Sequence, residues 1–102
     1  MADRLTQLHK LLEADAADSD LPYMIALEHT KADQLDDALT WLDKTLALDA
    51  GHLYAYYQKG RVLSELGRDD DAKRLLTSGI EKAKQAGDEK AANELMELLG
   101  AL

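Results

Sequence analysis

A chain of 102 residues with no cysteine and a formal net charge of −8 is already bounded. Its length suits one small domain with one modest core. The missing thiols exclude disulfides, thiolate metal sites and thiol nucleophiles, and the acidity argues against a nucleic-acid backbone as partner, which needs clustered Lys and Arg.

Phenylalanine is absent, β-branched residues are few, and Ala, Leu, Glu, Asp and Lys are abundant, a composition for helix. The opening "MADRLTQLHK" has no long apolar run, so neither a signal peptide nor a membrane span is expected, and a cytoplasmic location follows. A first helix is predicted from Asp3 to Ala14. Asp18, Ser19 or Asp20 can cap the next, which carries Pro22 in its first turn and runs to about Lys31. Asp33 then lies between helices, where a left-handed turn residue is needed.

The third predicted helix, Leu35 to Leu48, keeps Leu35, Ala38, Leu39, Leu42 and Leu46 on one face. "DAGH" breaks it. A fourth runs from His52 or Leu53 to Leu66, with Gly67 in the place of Asp33. A fifth runs from Asp69 to Gln85, and after "AGDEK" a sixth runs from Asp88 to Leu99. One of Asp69, Asp70 and Asp71 is expected to cap the fifth helix while the others favour its positive end, and Asp36 and Asp37 are expected to do the same for the third. A cation site is the competing reading of these acids, but the alternating oxygen ligands of a calcium loop are missing. No metal and no cofactor is expected.

The phrase "LGRDDDA" at Leu66 echoes "ADQLDDA" at Ala32, and a shift of 34 residues extends the match. Asp36, Asp37 and Ala38 fall on Asp70, Asp71 and Ala72. Leu8, Leu42 and Leu76 align, as do Tyr23 with Tyr57 and Ala26 with Gly60. Such a period marks a helical array whose units cannot bury their apolar faces alone. The first helix matches the second half of a unit.

These residues resemble the tetratricopeptide repeat family, in its small stand-alone bacterial form. The small residue at the helix crossing falls on Ala26 and Gly60, the inter-helix glycine on Asp33 and Gly67, the alanine on Ala38 and Ala72, and the later small residue on Thr45 and Gly79. The resemblance implies an all-α, right-handed array of helical hairpins. It divides one domain into an N-terminal half-unit at 1–18, repeats at 19–52 and 53–86, and a capping helix at 87–102.

Tyr54, Tyr57 and Arg61, at i, i+3 and i+7, share a helix face, and Tyr and Arg are enriched at interface hot spots. The resemblance places them in a concave groove with Ser64 and Glu65, and places Tyr23, Leu27, Thr30 and Lys31 there from the preceding unit. The function it implies is non-catalytic binding of a peptide or helix of another protein. The Lys, Asn and Arg clamp used by one subset of the family for chaperone tails is not in place: the corresponding positions hold Tyr23, Leu27, Gln58, Asp88 and Ala92.

Tyr56 and Trp41 are expected in helix packing. His9, His29 and His52 are scattered, with no i, i+4 pair for a metal. No nucleophile elbow, phosphate loop or dinucleotide fingerprint occurs, so no enzyme is expected. Leu95, Met96, Leu98, Leu99 and Leu102 crowd the second half of the last helix, and the resemblance implies that Leu95, Leu98 and Leu99 turn towards the groove side. They motivate the alternative function, a self-associating structural protein dimerising through its terminal helices. A monomer is placed ahead of that homodimer.

Overall fold

The absence of interior proline from all but one helical segment, and the recurrence of apolar residues three and four apart, leave helix as the only local structure. The computed structural model describes residues 3–102 and is all-α there. Six helices follow in order: α1 (Arg4–Ala14), α2 (Asp20–Lys31), α3 (Leu35–Leu48), α4 (Leu53–Glu65), α5 (Asp69–Gln85) and α6 (Glu89–Ala101). They form two compact units, one up to Ala50 and one from Gly51.

In the first unit α2 packs on α3 and on α1. Leu8, Leu21 and Ile25 form its centre, with Leu5, Leu12, Met24 and Trp41 packed around them. In the second unit α5 packs on α4 and α6, and α6 also reaches α4. Leu8, Leu42 and Leu76, aligned by the 34-residue shift, are exposed by no more than 1%. The small residues are buried where the shift places them: Ala26, Ala38, Ala72 and Thr45 are fully inaccessible. The Thr45 hydroxyl donates to the Trp41 carbonyl at 2.9 Å, so its burial leaves no unpaired polar atom.

Three helix ends share one solution. Asp33, Gly67 and Gly87 all have positive φ, of 58°, 77° and 71°. Each amide donates to the carbonyl three residues back, and the next amide donates to the carbonyl five back: Gly67 to Ser64 at 2.9 Å and Arg68 to Leu63 at 2.8 Å, with equivalent pairs at Asp33 and Gly87. This is the Schellman closure, which satisfies terminal carbonyls and reverses the chain. The third copy ends α5 only 20 residues after the second, since Gly67 and Gly87 are the positions concerned. A Cβ at Gly67 would touch nothing within 4 Å, so only the backbone resists a side chain there. Gly67→Ala is therefore expected to destabilise the chain by about 1 kcal/mol, and Asp33→Gly to stabilise it by up to about 1 kcal/mol, read from urea midpoints at unchanged slope.

The acidic starts of α3 and α5 correct one expectation. Neither helix has a side-chain cap; the N-cap positions are Gln34 and Arg68. The residue after the left-handed one already serves as N-cap, so Asp36, Asp37 and Asp69 to Asp71 lie inside the first turn. There they interact with the helix dipole without closing a cap. Asp71 accepts from Arg68 Nε at 3.0 Å and also pairs with Arg74. Those hydrogen bonds hold its carboxyl below the usual carboxylate value, so their stabilisation is present at neutral pH and is lost as pH falls through the lowered value. Side-chain caps occur instead at Asp3, His52 and Asp88, which accept from Thr6, Ala55 and Ala91 amides at 2.8, 3.3 and 3.0 Å. Asp18, rather than Ser19, assists the start of α2, its Oδ1 accepting from the Asp20 amide at 3.0 Å.

Candidate functional site

The run "YAYY" opens α4 and distributes its aromatics by helical geometry. Ala55, Tyr56, Gly60, Val62 and Leu63 form the buried side. Tyr56, 6% exposed, stands against Gly79 of α5, as a helix-packing residue should. The other side carries Tyr54, which is 54% exposed, with Tyr57 half-buried and Arg61 exposed. These three follow one another along a single face, as their spacing requires. Arg61 forms no ion pair among the described residues, so its guanidinium is open to an external carboxylate.

The first unit contributes a separate set on α2. Tyr23 and Leu27 are half-buried and Lys31 is exposed, each four residues from the next. Lys31 already pairs with Glu28 at 3.3 Å, and Glu28 is also 3.8 Å from Arg4. Its charge is thus partly satisfied within the unit. Tyr54, Tyr57 and Arg61 are brought together on α4, and Tyr23, Leu27 and Lys31 on α2.

The C-terminal apolar set divides. Leu95 is 1% exposed and belongs to the second unit's own core, so it offers no contact surface. The reason is register: α6 lies on α5 and α4 through Ala91, Ala92 and Leu95, spaced three and four apart. Leu98 and Leu99 are half-buried, and the accessible apolar side chain is Met96, at 41%.

Trp41 is both core and surface. It packs beside the Leu8, Leu21 and Ile25 cluster, while Lys44 Nζ stands 4.1 Å from the ring centroid. The His9 ring meets it edge-on at 5.1 Å and 72°. One side of Trp41 opens into a cleft of about 300 Å³ lined by Leu12, Ala16, Pro22, Lys44, Ala47 and Leu48. Sequence reasoning missed this cleft. Its available signal was the Trp41 to Lys44 spacing of three, together with Leu42 as the better-centred core residue one position on.

The three histidines have local work. His9 sets its ring edge-on to Trp41, His29 Nδ1 lies 2.8 Å from Gln34 Oε1, and His52 caps α4. Among the described residues no group of three His, Asp or Glu is placed to hold a metal ion, and no helix is long and apolar enough to cross a membrane.

A tetratricopeptide repeat family model matches residues 29–99 of the chain. The crystal structure of a tetratricopeptide repeat domain protein from Salinibacter ruber is 32% identical, over 80% of this chain and 91% of that one, with a TM-score of 0.75. The solution structure of a protein from Bordetella parapertussis covers 99% of this chain and 88% of its own, at a TM-score of 0.85 and 24% identity, a likeness of fold alone. The MamA crystal structure is likewise similar in fold, with a TM-score of 0.71 at 18% identity over 94% of this chain and 63% of that one. No curated protein matches the sequence significantly.

Proposed function

Because the chain belongs to the tetratricopeptide repeat family, whose fold generally mediates contact between proteins, we propose that it is a non-catalytic binding module for a peptide or helix of another protein. The observation that carries this reading is the α4 face. The exposed Tyr54, the half-buried Tyr57 and an exposed arginine without an ion partner among the described residues stand there in line. Tyrosine supplies large contact area at low rotamer cost, and arginine takes a carboxylate in two parallel hydrogen bonds. The α2 residues Tyr23, Leu27 and Lys31 are a separate candidate contact set on the first unit. The net charge of −8 makes neither a nucleic acid nor an anionic membrane a natural partner. A cytoplasmic protein partner is the corresponding proposal.

Affinity capture from the native cell extract tests this reading. Tyr57→Ala and Arg61→Ala are each expected to weaken retention of the captured protein by about tenfold to thirtyfold, the scale of a hot-spot truncation. Far-UV circular dichroism should stay unchanged, because both side chains lie off the core. Retention indifferent to both changes would remove the α4 face from the binding surface.

A further inference from the structure

The cleft beside Trp41 is a second surface that the α4 reading does not use. Its floor is apolar, from Leu12, Pro22, Trp41 and Ala47, and its lip is Leu48, 47% exposed. At its rim Lys44 stands over the Trp41 ring and forms no ion pair among the described residues, in a chain of net charge −8. An apolar hollow with an uncompensated ammonium fits an apolar side chain that carries a carboxylate beside it.

The second unit presents that chemistry. Met96 of α6 is 41% exposed, and its neighbour Glu97 is exposed without an ion partner among the described residues. A thioether is flexible, fills irregular hollows and makes favourable contacts with aromatic rings. We propose that α6 of a second copy of this chain seats Met96 in the Trp41 cleft, with Glu97 against Lys44. The contact joins two unlike surfaces of the same chain. One methionine and one ion pair cover far less than the roughly 800 Å² per partner of a standard interface, so the association is weak and concentration-dependent.

Sedimentation of the full chain from micromolar to submillimolar concentration tests the contact, with emission from the single tryptophan as a probe inside the cleft. The expected result is a mass that rises with concentration, accompanied by a shift of Trp41 emission. Leu48→Asp and Met96→Asp are each expected to remain monomeric over that range while keeping wild-type helicity, since both side chains are largely exposed. Mixed together they should form a heterodimer, because the first retains the α6 knob and the second retains the cleft. A wild-type chain monomeric at every concentration would overturn the proposal. So would association that survives both substitutions, or a mixture as monomeric as its components. Tyr57 and Arg61 are intact in every variant, so this result and that of the α4 test are separable.

Discussion

Gly79→Ala is expected to destabilise the chain by up to about 2 kcal/mol, although alanine is the better helix former by about 1 kcal/mol. A Cβ at Gly79 would lie 2.8 Å from Tyr56 Cβ and 3.0 Å from Tyr56 Cγ. The obstructing atom is attached directly to the α4 backbone, so no rotation of the tyrosine removes it. Relief requires α4 and α5 to move apart, and their interface also holds Gly60, Ala72 and Leu76. Overpacking of that kind costs about 1–3 kcal/mol and outweighs the gain in helix propensity. Tyr56→Ala should not rescue the variant, because the Cβ contact persists. Gly100→Ala is the control: it meets open space and should be neutral or slightly stabilising. Chemical denaturation monitored by circular dichroism reads both, and a Gly79→Ala chain as stable as wild type would show that the two helices can slide.

Much of this packing is legible before the structure, because it rests on period. Residues that must sit at a crossing recur every 34 positions, as Ala38 and Ala72 do, and both are fully buried. The left-handed role of Asp33 could be read from its alignment with Gly67, despite the different residue type, and its φ of 58° agrees. The third copy of the same turn, "AGDEKAA", escaped the comparison because it stands 20 positions on from the second, where an alignment by 34 does not look. Ala92 repeats there the buried place of Ala38 and Ala72.

What could not be read follows from features that propensity does not encode. Acids before a helix suggest a cap, but capping depends on which residue has non-helical dihedrals. The Schellman closure gives that place to Gln34 and Arg68. Leucines crowded on α6 suggest an exposed stripe, but only its rotation about its own axis decides that Leu95 is core and Met96 is surface. Of the candidate contact residues, the i, i+3, i+7 face of Tyr54, Tyr57 and Arg61 was legible because it is a property of one helix. The Trp41 cleft was not, because it needs the relative placement of α1, α2 and α3. That placement comes from long-range packing, which a local pattern does not specify.

Leu76→Ala should be the other severe change, costing about 3 kcal/mol, within the 2–5 kcal/mol usual for a buried leucine. Leu76 is fully inaccessible, and its neighbours across the helix pair cannot collapse freely because Gly60 offers no side chain to move. The same geometry makes the cost partly reversible. A Cβ at Gly60 would lie 2.6 Å from Leu76 Cδ2, 2.9 Å from Cγ and 3.3 Å from Cδ1. Leu76→Ala deletes all three of those atoms. In the wild type Gly60→Ala is therefore strained, with the crowding offsetting the gain of about 1 kcal/mol in helix propensity. In the Leu76→Ala background the added methyl group enters the vacated space, removes part of the cavity and keeps the propensity gain. The double variant should be more stable than Leu76→Ala alone by about 1 kcal/mol or more, with a coupling energy of about 1–3 kcal/mol between the two positions. A double-mutant cycle by urea denaturation measures that coupling directly. Simple additivity of the two changes would mean that α4 and α5 readjust around Gly60 instead of holding the close approach that the glycine permits.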